Sequence, residues 1–165
     1  MKDQLAQSHQ ARTIVQRILV PVNFAEASIR AAEYAAKLAR AVGTTVTLLH
    51  VVETVPARKH RQDSQEQVLK EIHDAAEVKL RHFAKLFVSN CAATEIIVSI
   101  GNPIQQILYE IGEMNPDLVV MTSRYRRTTR WFWQRDTTLE ILEQAACPVV
   151  VLRDNGTEAS DLILY

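Results

Sequence analysis

Five short apolar runs recur along the chain: RILVPV (17–22), TVTLLHVV (45–52), TEIIVSI (94–100), DLVVMTS (117–123) and CPVVVLR (147–153). Their apolar character is nearly continuous rather than alternating. A strand of that kind is buried on both faces, the condition met by a parallel sheet with helices above and below it. Between the runs lie segments of helical period. AEASIRAAEYAAKLARAVG places Ile29, Ala32, Ala36 and Ala39 on one face and stops at Gly43. A second helix is expected from about Ser64 to Ser89, with Val68, Ile72, Ala76, Leu80, Phe83 and Phe87 on its apolar face. The stretch GNP (101–103) reads as a turn, an N-cap and an N1 proline, opening a helix that buries Ile104, Ile107, Leu108, Ile111 and Met114. A fourth helix is expected over Thr137–Ala145.

Long crossovers between parallel strands are right-handed, so this alternation predicts an α/β fold: a five-stranded open parallel sheet with helices on both faces. The 165 residues suit one such domain. The expected division is an N-terminal arm over 1–15, the domain over 16–154 and a C-terminal tail over 155–165.

Lys+Arg and Asp+Glu balance at 19 each, so net charge draws the chain toward neither nucleic acid nor membrane, and any such attraction must be local. Cys91 and Cys147 match no metal spacing, and the histidines form no ligand pattern, so no metal site is proposed. No apolar run approaches the ~20 residues of a membrane span, and the polar start lacks a secretory signal. Cytoplasmic location with free thiols is the expectation.

Taken together, RILVPVNFAEASIRAAEYAAKLA with VTLLHVV, then GNPIQQIL, DLVVMTSR and CPVVVL, closely resembles the universal stress protein family from about Arg17 to Arg153. The resemblance implies a doubly wound, Rossmann-like sheet of order 3-2-1-4-5. It also implies a homodimer through antiparallel pairing of the last strand, here Val149, Val150, Val151 and Leu152. An apolar sheet edge gives such pairing a physical motive.

Many members of that family bind ATP through a glycine pattern, G-x2-G-x9-G-(S/T), after the fourth strand. Its spacing maps onto this sequence, but its residues do not. Thr122 and Tyr125 stand at the first two glycines, Arg135 at the third and Asp136 at the hydroxyl position. Glycines there let backbone N–H groups approach phosphate oxygens. Tyr125 and Arg135 bring bulk into that space, and Asp136 sets a carboxylate where a helix N-terminus would attract an anion. Asn23 replaces the aspartate that ATP-binding members carry after the first strand; it also opens NFAE, a capping-box pattern. Val51, Gly101 and Met121 occupy the remaining family-matched cleft positions.

The segment RYRRTTRWFWQRD (124–136) gathers Arg124, Arg126, Arg127, Arg130 and Arg135 with Tyr125, Trp131, Phe132 and Trp133. Arginines among aromatics suit interface contacts and cation–π stacking better than a solvated turn. Arg58, Lys59 and Arg61 leave the second strand at the same edge of the sheet. Two functions follow. One is a regulatory or interaction module without the usual ATP site and without a cofactor, meeting an acidic protein or an anionic ligand through this basic-aromatic loop. The other is a nucleotide-binding protein, for ATP or AMP, in which arginines replace the glycine loop as the phosphate clamp. Contact of the same patch with single-stranded nucleic acid is a weaker third reading. No arrangement of catalytic groups is legible, so an enzyme is not expected.

Overall fold

The structure is a computed structural model that describes residues 15–53, 62–89, 91, 93–123, 137–153 and 162–164. Its elements, in chain order, are β1 (Arg17–Pro21), α1 (Glu26–Val42), β2 (Thr45–Val52), α2 (Gln62–Phe87), β3 (Ala93–Ile100), α3 (Pro103–Met114), β4 (Leu118–Ser123), α4 (Thr137–Gln144), β5 (Val149–Arg153) and β6 (Leu162–Leu164). The sheet order is β3-β2-β1-β4-β5-β6. The first five strands pair in parallel, in the doubly wound order that the sequence implied.

β6 was not foreseen. It pairs antiparallel with β5, setting Leu162 opposite Leu152, Ile163 opposite Val151 and Leu164 opposite Val150. Residues 162–164, which the sequence reading assigned to a C-terminal tail, thus pair along Val150–Leu152 in the chain's own sheet. Three residues beyond a polar stretch carry too short a pattern to be read as a strand.

The apolar runs sort by strand period into two cores. Ile18, Val20, Val46, Leu48, Leu118, Val120 and Val150 face α1 and α2, whereas Leu19, Leu49, Val119, Met121, Val149 and Val151 face α3 and α4. α1 meets the sheet with alanines at 31, 32, 35, 36 and 39. Small side chains let its backbone lie close over the central strands. The turn after it needs Gly43, whose φ of 71° is left-handed. α3 begins as read from the sequence: Asn102 accepts from the Gln105 N–H at 3.1 Å, and Pro103 follows.

α2 departs from its expected pattern. Leu80 and Phe83 are buried and Phe87 is half-buried, but Val68 and Ile72 on the same stripe are 49% and 41% exposed. The helix has 26 residues, about 39 Å at 1.5 Å each, against eight in β2 and β3, so only its later turns cover the sheet.

The close seating of α1 can be tested directly. Ala35 is fully buried in the alanine face, and Ala35→Leu is expected to lower stability by about 1–3 kcal/mol through overpacking, measured by urea denaturation.

Candidate functional site

The strand order reverses beside β1. The connection from β1 runs to one side and that from β4 to the other, which leaves a crevice at the carboxyl ends of the strands where ligands of open α/β sheets sit. A cavity of about 330 Å³ occupies this place. Leu49, Val51, Ile107 and Met121 give it an apolar floor. Asn23, Ser28, Thr122, Thr137 and Thr138 supply amide and hydroxyl groups, and Glu53 adds a carboxylate.

The β1–α1 loop forms one wall, and its geometry corrects the expected capping box. α1 starts at Glu26 with Ala25 as N-cap, and no side chain caps it. Asn23 instead accepts from the Ala25 N–H at 3.1 Å, an Asx turn two residues ahead of the cap. The reason is Phe24, which adopts a left-handed φ of 61°. Such a conformation costs a bulky L-residue about 1–2 kcal/mol. Its ring contacts offset that cost: the His50 ring lies 4.3 Å away, Phe83 meets it edge-on at 5.8 Å, and Lys79 Nζ sits 4.2 Å from its centroid. The reversal sends Phe24 into the core under α2 while Asn23 lines the cavity.

Ser28 is buried in the first turn of α1; its hydroxyl donates to the Ala25 carbonyl at 2.8 Å. Across the cleft, the Thr138 hydroxyl at the start of α4 donates to the Thr122 carbonyl at 3.5 Å. That bond ties α4 to the end of β4.

Of the family-matched positions, Asn23, Val51, Met121 and Thr122 line the cavity. Gly101 does not appear among its described lining residues; its φ of 146° serves the turn from β3 into α3, where its N–H donates to Val52 at 3.0 Å. Tyr125, Arg135 and Asp136 lie outside the described residues, as do Arg124, Arg126, Arg127, Arg130, Trp131, Trp133, Arg58, Lys59 and Arg61. The sequence reading missed Pro21, Val22, Ser28, Leu49, Glu53, Ile107, Thr137 and Thr138, whereas Pro103 belongs to the GNP turn that it set beside the cleft. Most of these stand at strand ends or first helical turns facing the carboxyl edge, and that position was the available signal.

His50 is a core residue on the sheet face opposite the Leu49 and Val51 side chains. Its Nδ1 donates to the Val22 carbonyl at 2.8 Å, so that nitrogen carries the proton. Burial pushes the imidazole below its usual value of 6.5; the bond to Val22 acts the other way, and Lys79 adds to the lowering. Burial raises both thiols: Arg40 partly offsets the effect at Cys91, and Asp117 adds to it at Cys147. Away from the cleft, His73, Asp74 and Glu77 on α2 bring ligand-type atoms within 4.8 Å of one another, but Glu77 is already paired with Arg81.

The chain belongs to the universal stress protein family, whose model matches residues 15–153. Solved structures with the same fold include universal stress protein UspA from Lactobacillus plantarum, at 24% identity and a TM-score of 0.64, covering 83% of this chain and 97% of that one. A universal stress protein from Archaeoglobus fulgidus in complex with dAMP is 18% identical, with a TM-score of 0.58 and coverage of 84% and 98%. A universal stress protein in complex with cAMP is 16% identical, with a TM-score of 0.57 and coverage of 83% and 95%. No curated protein matches the chain. Among the described residues, no helix is long and apolar enough to cross a membrane.

The state of His50 predicts a pH dependence. Its folded pKa lies below the unfolded one, so the unfolded chain binds more protons below about pH 6.5. Stability is then highest above that value and declines as pH falls toward the folded pKa. Urea denaturation between pH 8 and 5 should show that His50→Gln flattens this decline relative to the parent chain.

Proposed function

We propose that this chain is a non-catalytic regulatory module whose cleft takes an adenine nucleoside or nucleoside monophosphate, and that it does not hold Mg-ATP through a backbone phosphate cradle. The observation that carries this reading is the cavity itself. Its volume of about 330 Å³ stands at the small end of the roughly 300–1,000 Å³ typical of ligand sites. Its floor of Leu49, Val51, Ile107 and Met121 suits a flat purine, and the rim of Asn23, Ser28, Thr122 and Thr138 suits ribose hydroxyls. The Glu53 carboxylate adds repulsion for a long anionic tail, about 1 kcal/mol at 4 Å in water and more where water is scarce. Thr122, in place of the motif's first glycine, adds a side chain where close backbone approach would be needed. The cAMP and dAMP complexes of two structural neighbours support a monophosphate as the ligand class.

Titration calorimetry with adenosine, AMP, cAMP and Mg-ATP tests the proposal. Micromolar binding of AMP or cAMP is expected, with Mg-ATP at least tenfold weaker; equal or tighter binding of Mg-ATP overturns it. Val51→Trp should fill the cavity floor and abolish AMP binding while leaving the thermal midpoint within a few degrees of the parent.

The composition of residues 124–136 favours a second role for that segment, as a surface for an acidic protein partner or for the ligand's phosphate. Arg126→Ala with Arg127→Ala separates the two. If these arginines clamp phosphate, the double variant weakens AMP several-fold and leaves adenosine unchanged. If they form a protein surface, both affinities stay as they were.

A further inference from the structure

α2 runs on past the sheet that its later turns cover. Glu66 to Ile72, about two turns, are exposed on every side, although the stretch carries Val68, Leu69 and Ile72. Later in the same helix Val78 is 69% exposed and Leu86 60%. Of the eight large apolar side chains exposed among the described residues, five belong to this one helix. Helical turns standing alone in water are marginal, because most helical stability comes from packing an apolar face.

The solvent face of α2 also carries its charges in order. Counted from Val78, residues four and seven positions away in either direction share its face. Toward the N-terminus these are Asp74 and Glu71; toward the C-terminus they are His82 and Lys85, and all four are exposed. The helix dipole favours cations only within the last turn and acids only within the first. It accounts for Lys85 but not for Glu71 and Asp74, which lie in the interior of Gln62–Phe87. The face reads acidic, then apolar, then basic. Such a face is complementary to itself when turned end for end.

We propose that the outer face of α2 is an association surface for a second copy of this chain, paired antiparallel about a two-fold axis near Val78. That axis sets Glu71 against the second copy's Lys85 and Asp74 against its His82, with the two Val78 side chains together at the centre. A parallel pairing would instead set Glu71 against Glu71 and Lys85 against Lys85, which repel. Val68 and Leu86 stand on one flank of the face, ten positions before Val78 and eight after it, so each Val68 comes beside the other copy's Leu86. Leu86 borders a groove of about 220 Å³ between α1 and α2, lined also by Ala36 and Phe87, which offers space to an entering apolar side chain. The overhanging turns of each copy thereby lie along the later turns of the other, which rest on the sheet. α2 packs on β2 and β3, at the far end of the sheet from β5, so this contact leaves the β5 edge untouched. The inference stands on α2 and is independent of what the cleft binds.

The test places a thiol on the axis. Under mild oxidation at micromolar protein, full-length Val78→Cys should form a disulfide-linked dimer at least tenfold faster than Tyr109→Cys, a similarly exposed site on α3. The parent, whose Cys91 and Cys147 are half-buried, gives the baseline. In the Val78→Cys chain, Glu71→Lys alone or Lys85→Glu alone should slow the crosslink several-fold, and the two together should restore it. These residues are about 21 Å apart along one helix, so they rescue each other only between copies. All the substituted sites are exposed, and an unchanged thermal midpoint establishes that the variants are folded. The inference is overturned if Val78→Cys crosslinks no faster than Tyr109→Cys, even where native mass spectrometry shows a dimer, because the copies would then meet elsewhere. It is equally overturned if the single charge reversals leave the rate unchanged, or if the paired reversal fails to restore it.

Discussion

The structure depends on the burial of β1 from both sides. Ile18, Leu19 and Val20 are fully buried, with neighbouring side chains pointing alternately into the two cores. A strand in that position must have helices above and below and strands to left and right. β2 and β4 fill the lateral places, and the alanine face of α1 lies close over the centre. Because the chain leaves β1 toward β2 and comes back to its other side as β4, the loops diverge at its carboxyl end. The cavity is the space that this divergence leaves open. The site is thus a topological consequence of the central strand, and the side chains around it only determine what it accepts.

The strained residue beside that cavity follows from the same arrangement. The chain has four residues, Val22 to Ala25, in which to turn from β1 into α1. The left-handed Phe24 achieves the reversal and turns its ring under α2, where His50, Phe83 and Lys79 hold it. The polar wall of the cleft and the packing of α2 are therefore fixed by one residue pair, Asn23 and Phe24, facing opposite ways. Strain of this kind persists only where surrounding contacts over-determine it.

The two edges of the sheet are managed differently. At one edge, Glu95 on β3 accepts from the Thr47 hydroxyl at 3.2 Å, and Ser99 donates to Glu110 at 3.0 Å, so polar groups are interspersed with its apolar ones. At the other edge, β5 has only valines and a leucine before Arg153, and the chain's own terminus covers it. Composition at an edge thus decides whether separate cover is needed.

The sequence by itself determined the order and type of the five parallel strands and four helices, their approximate bounds, the cap at Asn102 and the helix stop at Gly43. Each of these is a local consequence of period, capping or positive φ, and local rules act on neighbouring residues. The family resemblance marked Asn23, Val51, Met121 and Thr122 as cleft positions, and these four line the cavity. Tertiary structure alone decided that Val68 and Ile72 stand exposed on a stripe whose later members are buried, since a helical pattern carries no record of where the sheet beneath it ends. It alone turned Asn23 from a cap into an Asx turn and placed Glu53, Ser28 and Thr138 around one cavity. It alone brought Leu162–Leu164 back onto β5. Those outcomes depend on contacts between residues distant in sequence, and such contacts are set by the shape of the whole core rather than by any window of the chain.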